Sequence, residues 1–384
     1  MISKRTPMWL LPALLMCILF LSGCGGPGES AAEAAEVEPA ANPAAATKET
    51  ENPTTPQVIK IQPQTELNIF NWSTYIAPGI IPKFEEKYNV KVNYDMYESN
   101  EDLLAKIQAG NPGYDLIVPG DYMVEIMRNL DLLTEIDQSN IPNMANLNPT
   151  FLDLPFDPGN QHCLPYQWGT MALGYNATKV DGDIDSWQVM FDDTLDLRRA
   201  WLDDARSTIG VALMLLGYDV NTTDPDQIAE ATAMLVKQKK LVTAYAPDTG
   251  QIMLDDGEVD VAAEWSGDIL QIMEENPDIR LVIPKEGAMA WVDSLCIPKG
   301  APHKEMAENF INFILDAEIG AELSNYVRFA TPNAAAMAMI NPEDLSNPGI
   351  YPPAEVMDKL QFLVDVGDAT LLYDDAWTEI KAAN

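Results

Sequence analysis

Between residues 66 and 133 the apolar positions change period every few residues, and each change marks an element. LNIFN (67–71) offers Leu67, Ile69 and Phe70 to a core as a short strand. After Pro78 and Gly79, the residues Ile80, Ile81, Phe84 and Tyr88 recur at helical spacing. VKVNYDMY (90–97) is apolar or aromatic at every second position, which predicts a strand. Ser99 with Asp102 fits a capping box, EDLLAKIQA reads as the helix behind it, and Gly110 stops that helix. YDLIVPG predicts a buried strand and DYMVEIMRNLDLL a second helix. Two strand–helix–strand passages in so short a span predict an α/β sheet with parallel strands. Further on, AWLDDARSTIGVALMLLG, IAEATAMLVKQKKL, VDVAAEWSGDILQIM and AENFINFILDAEIGAELS read as helical pieces between short strands such as LVIP and DSLCIP. No internal repeat is present, and 384 residues leave room for two domains.

In open sheets of this kind ligands bind beyond the carboxyl ends of the strands. Several of those ends carry rings and acids here. FNWSTYIAP places Trp72 and Tyr75 around Ser73 and Thr74, and VPGDYM places Tyr122 after a strand. EWSGD brings Trp265 and Asp268, and AWVDSL brings Trp291 and Asp293. Singly, each pair is equally well explained by a buried tryptophan and a surface aspartate. Together, with few basic residues nearby, they suit an organic cation. An aromatic face holds a desolvated amine by up to about 2 kcal/mol, and a hydrogen-bonded carboxylate adds about 1.5–3 kcal/mol.

Charge narrows the partners. Acidic residues number 59 against 23 basic ones, a net charge of −36. Nucleic acid is excluded, since phosphate binding needs a basic footprint. The acidity suits a solvated surface and also a field that attracts cations. Enzyme chemistry finds little support: His162 and His303 lie far apart, no GxSxG motif occurs, and DDAR with the other acids forms no diagnosable hydrolytic pair. No metal motif is present, and no cofactor is implied.

The N-terminus has its own pattern. Lys4 and Arg5 precede WLLPALLMCILFL and then LSGC, which predicts a secretory signal over residues 1–23. LSGC resembles the lipobox of bacterial lipoproteins, in which the cysteine, here Cys24, carries the lipid. Residues 24–63 are rich in Ala, Glu, Pro and Thr without an apolar face, and predict a flexible tether. The protein is thus expected outside the cytoplasm, held at a membrane by its anchor alone. Cys17 leaves with the signal. Cys163 and Cys296 remain and could pair in an oxidising compartment, although sequence does not show their separation.

From about residue 66 onward the chain resembles the periplasmic putrescine- and spermidine-binding proteins of bacterial ABC importers. The resemblance rests on FNWSTYIAPG, YDLIVPGDY, FDPGNQHCLPYQWGT, LDDARSTIGVALMLLGY, EWSGD, IPKEGAMAWVDSLCIPKG, INFIL, ATPN and NPGIYPPAEV, in the family's order. It implies an α/β, two-lobed type II binding-protein fold with hinge strands and a ligand cleft between the lobes. Lobe 1 would comprise 64–170 plus 292–338 and lobe 2 residues 171–291 plus 339–384, with crossovers near 170, 292 and 338.

The family's cage aromatics match Trp72, Tyr75, Tyr122, Trp265 and Trp291. Its amine-binding acids match Asp293, Asp268 and Asp204, a hydroxyl position matches Ser73, and a pocket arginine matches Arg206. Departures fall at Thr74 and Ser207, where the family carries acids, and at Gly120, Phe329 and Leu363, where it carries serine, tyrosine and glutamine. The resemblance implies a monomeric binding component that delivers putrescine or another short diamine, with spermidine second, to a membrane permease. A polyamine sensor acting on a membrane signalling receptor is the alternative.

Overall fold

The structure, a computed structural model, describes residues 66–180 and 182–383. The signal segment, Cys24 and the tether lie outside the described residues. Ten strands form one curled sheet: β1 (Glu66–Trp72), β2 (Lys91–Tyr97), β3 (Leu116–Ile117), β4 (Cys163–Asn176), β5 (Arg199–Leu202), β6 (Val242–Ala246), β7 (Val261–Trp265), β8 (Ile279–Val282), β9 (Met289–Cys296) and β10 (Gln361–Phe362). Their order is β2-β1-β3-β9-β4-β7-β5-β6, with β8 beside β4 and β10 beside β9. β2, β1 and β3 run parallel to one another, as do β6, β5 and β7, so each side of the sheet has an α/β half with its own crossover helices.

The two halves meet in β4. Its residues Cys163–Thr170 pair antiparallel with β9, whereas Met171–Tyr175 pair with β7 and Leu173–Asn176 with β8. Nearly every residue of this strand is buried, as a strand covered on both faces requires. Leu67, Ile69, Ile80 and Phe84 pack the core of the first half, and Trp187, Trp201, Leu213 and Leu235 that of the second.

The expected helices form with their expected caps. Ser99 Oγ accepts from Asp102 N at 3.1 Å, and Asn100–Gln108 follows. Four readings change. AWLDDARSTIGVALMLLG is not all helix: Arg199–Leu202 is β5, Asp204 caps, and the helix is Ala205–Leu216, closed by Gly217 at φ 80°. The run Ala200-Trp201-Leu202 is apolar without a break, which a buried strand shares with a buried helix. VDVAAEWSGDILQIM likewise divides into β7 and the helix Ser266–Glu275. AENFINFILDAEIGAELS divides into Lys304–Ile314 and Ala317–Val327, because Asp316 accepts from Glu318 N at 3.0 Å and starts a second helix. Of YDLIVPG only Leu116–Ile117 pairs as a strand. The Val118 carbonyl instead accepts from Trp72 Nε1 at 2.9 Å and from the Tyr97 hydroxyl at 2.5 Å, and Pro119 has no N–H to donate.

Cys163 and Cys296 stand opposite each other in the β4–β9 register, with Cα atoms 4.4 Å apart, and are joined by a disulfide. The bridge closes a loop of 133 residues in a buried sheet. Replacing both cysteines by alanine should cost about 2–5 kcal/mol of stability. The check is the denaturant midpoint of the oxidised protein against that of the double variant; equal midpoints would remove the bridge from the stabilising elements.

Candidate functional site

The carboxyl ends of β1, β3, β5, β6 and β7 face one cavity, and the middle strand β9 runs along it. Each end supplies a short segment: Trp72–Tyr75, Gly120–Tyr122, Asp204–Ser207, Asp248 and Trp265–Asp268, with Met289–Asp293 from β9. Room for water centres amounts to about 50 Å³. At about 10–15 Å³ for one water, that is space for a few waters or one slender chain.

The rings form one connected wall. Trp291 sits 6.0 Å from Trp265, 5.0 Å from Phe329 and 6.2 Å from Tyr75, all edge-to-face between ring centroids. Tyr75 meets Phe329 at 5.5 Å, and its carbonyl accepts from the Tyr166 hydroxyl at 2.5 Å. Trp72 leans on Tyr97 at 4.6 Å. Phe329 fits only because Gly267 has no side chain: a Cβ there would lie 2.6 Å from its ring. The Tyr75 hydroxyl and the Trp291 indole N–H are buried with no hydrogen-bond partner.

Five carboxylates line the same space: Asp121, Asp204, Asp248, Asp268 and Asp293. Burial pushes all five above the usual carboxylate range. Asp121 reaches about 7, although the backbone N–H groups of Tyr122 and Val292 hold it down. Asp248 also reaches about 7; the Ser73 hydroxyl, which donates to its Oδ2, lowers it. Asp268 is raised well above its ordinary value by burial and by Asp248, against a 2.8 Å hydrogen bond from Thr74 Oγ1. Asp204 is raised by burial while capping its helix, accepting from Ser207 N at 2.7 Å. Asp293 is raised well above its ordinary value by burial, with Asp121 and Asp248 adding to the effect. The Tyr75 hydroxyl is close enough to oppose that shift, yet it completes no hydrogen bond.

Most residues singled out from the sequence therefore come together: Trp72, Ser73, Tyr75, Tyr122, Asp204, Ser207, Trp265, Asp268, Trp291, Asp293 and Phe329. The structure places two outside the lining. Thr74, at φ 50°, is exposed, and its hydroxyl braces Asp268. Arg206 lies behind the wall, its guanidinium 4.5 Å from the Tyr373 ring and 5.8 Å from Tyr122, donating to the Val364 carbonyl and to Asn221 Oδ1. Among the described residues, no lysine, arginine or histidine lines the cavity.

Sequence reasoning missed Asn100, Asp121, Asp248, Met289 and Ala290. Asp248 follows β6, so the strand-end rule that found Asp268 could have found it. Asn100 carried no such signal; it starts the helix after β2, accepts from Gly120 N at 3.1 Å and donates to the Tyr122 hydroxyl at 3.3 Å. That hydroxyl in turn donates to Glu101 at 3.0 Å. At Gly120 a Cβ would come within 3.1 Å of Asn100, so the missing side chain leaves room for this network. The arrangement can neutralise and desolvate a thin, positively charged ligand.

Comparison with known proteins agrees with this geometry. Residues 79–350 match the family described as bacterial extracellular solute-binding protein. A spermidine/putrescine-binding periplasmic protein of Salmonella typhimurium is 36% identical over 318 residues, covering 82% of this chain and 91% of the relative. A putrescine-binding periplasmic protein of Escherichia coli is 34% identical over 341 residues, covering 83% and 92%. Among solved structures, a spermidine/putrescine ABC transporter substrate-binding protein of Streptococcus pneumoniae superposes with a TM-score of 0.70 at 33% identity, covering 83% of this chain and 99% of that one. A lipoprotein of Treponema pallidum gives 0.73 at 31% identity, covering 82% and 99%.

The buried acids set a pH dependence. A carboxyl raised in the folded state binds more protons than in the unfolded chain, so its contribution to stability is complete below about pH 4 and is lost as the pH rises through its folded value. For Asp121 and Asp248 that window ends at about 7. The ligand-free protein should therefore melt higher at pH 5 than at pH 8, and Asp121→Asn should flatten the slope. Melting curves across this range are the check, and a slope unchanged by the variant would remove Asp121 from the account.

Proposed function

The chain belongs to the bacterial extracellular solute-binding proteins, and from that premise we propose that it is the substrate-binding component of a polyamine ABC import system. Its ligand is putrescine or another short diamine, with spermidine second. One observation carries this reading: five buried carboxylates and a wall of rings enclose a narrow space into which, among the described residues, no cationic side chain projects, Arg206 acting on Asp121 and Asp204 only from behind the wall. Relatives named for binding putrescine and spermidine support it.

The physical sequence follows from the geometry. The rings take methylenes out of water, and the acids meet the ammonium groups, each charge-assisted contact contributing about 1.5–3 kcal/mol. Putrescine has six heavy atoms, and a ceiling of about −1.5 kcal/mol per atom allows about −9 kcal/mol. That corresponds to micromolar binding or somewhat tighter, which suits scavenging. Ser73 and Thr74 follow β1, while Asp248 and Asp268 follow β6 and β7, so hydroxyl–acid pairs span the cavity from one half to the other. A ligand in contact with both halves favours the closed arrangement, because only that arrangement makes both sets of contacts. No bond in the ligand is made or broken. The protein acts as a monomer in the periplasm, held by acylated Cys24, and hands the amine to its permease.

Putrescine should raise the melting temperature of the purified protein, as any ligand of the folded state must. Asp293→Asn should weaken putrescine binding at least about tenfold by calorimetry, and Trp265→Ala comparably. Unaltered affinity in Asp293→Asn would count against the site. Cys24→Ser should move the mature protein from the membrane fraction to the soluble fraction, and a membrane-bound variant would exclude the anchor.

A further inference from the structure

The loop after β1 places two hydroxyls side by side, and each reaches a different carboxylate of the other half. Ser73 Oγ donates to Asp248 Oδ2, and Thr74 Oγ1 donates to Asp268 Oδ1 at 2.8 Å. Asp268 already has a second donor in Gln271 Nε2, at 3.3 Å. Asp248 differs. It is 5% exposed, lines the cavity, and among the described residues no donor reaches its Oδ1 and no cationic side chain pairs with it. Its backbone adopts φ 42°, in the left-handed region that aspartate tolerates better than most non-glycine residues. The carbonyl of the same residue faces Gln251 Nε2 at 3.4 Å, so the turn is tied from both sides.

We propose that Asp248 is a ligand carboxylate which, with Asp268, forms a two-acid seat for one primary ammonium terminus of the polyamine; this rests on the reading of the cavity as a polyamine site. The chemistry fits the group. A primary ammonium carries three N–H donors, enough to serve both carboxylates at once. Two neighbouring acids cannot both ionise in a buried space without a shared counter-charge, so the seat favours a cation over any neutral hydrogen-bonding group. Asp293, on β9 beside Tyr75 and Trp291, remains for charge further along the ligand.

The competing role for Asp248 is a strut that holds the β1 loop through Ser73. Asparagine separates the two, because Asp248→Asn keeps an acceptor for Ser73 and the side-chain shape while losing the charge. Calorimetry with putrescine and with spermidine on the wild type, Asp248→Asn and Asp293→Asn is the test. The seat requires Asp248→Asn to bind both amines at least about tenfold more weakly than the wild type. Asp248→Gly, which suits the left-handed backbone, guards against misfolding of the first variant and should lose affinity likewise while its ligand-free melting temperature holds. Affinity within about twofold of wild type in Asp248→Asn, with Asp293→Asn weakened, overturns the seat and leaves the polyamine reading standing. If the wild type binds neither amine, both fall.

Discussion

Carboxylates gathered in a buried space that no cationic side chain among the described residues lines are the constraint on which the rest of this structure depends. Each is costly to ionise away from water, and each raises the cost for its neighbours. The protein meets that cost only in part. Asp121 and Asp204 receive backbone N–H groups, and Asp248 and Asp268 receive hydroxyls, while Asp293 has the Tyr75 hydroxyl near it without a completed bond. The rings sharpen the problem, since Trp265, Trp291 and Phe329 replace water with hydrocarbon around the acids. A cation that enters recovers interaction energy that the protein has left unused.

The sheet supplies the geometry. β4 and β9 lie at the centre of the strand order, and β4 changes partner between Thr170 and Met171. A rotation of one half on the other would involve these strands. Trp291 and Asp293 sit on β9 itself, so they keep their place in the sheet while loops from both halves come to them. The disulfide fixes the opposite end of the same strand pair, where Cys163 and Cys296 stand in register.

Much of this was legible in the sequence, for a physical reason. Alternating and helical periods are local signals, so β1, β2 and the helices after them emerged directly, and Trp72, Tyr75, Trp265, Asp268 and Asp293 followed from their places at or beside strands. What stayed hidden depends on how separate segments face each other. An apolar run such as Ala200-Trp201-Leu202 does not declare itself strand or helix until its neighbours β6 and β7 are known. Thr74 and Arg206 have the right chemistry in the right segments, yet the hydroxyl of one is engaged by Asp268 and the other is held behind the wall by Tyr373 and Asn221. Asn100 lines the cavity and is held there by Gly120 and Tyr122, contacts between two elements that no spacing rule connects.

The distribution of the acids also decides what kind of cation belongs there. A hard metal ion needs six to eight oxygens at close range around one point. Among the described residues no group of histidine, cysteine, aspartate or glutamate is arranged to hold one. Asp204 stands at the start of the helix after β5, Asp248 and Asp268 beyond β6 and β7, and Asp293 on β9 against the rings of Tyr75 and Trp291. Negative charge is thus divided into stations with hydrocarbon between them. The matching ligand divides its positive charge in the same way, ammonium groups separated by methylenes, and a point charge would leave most of the acids unanswered.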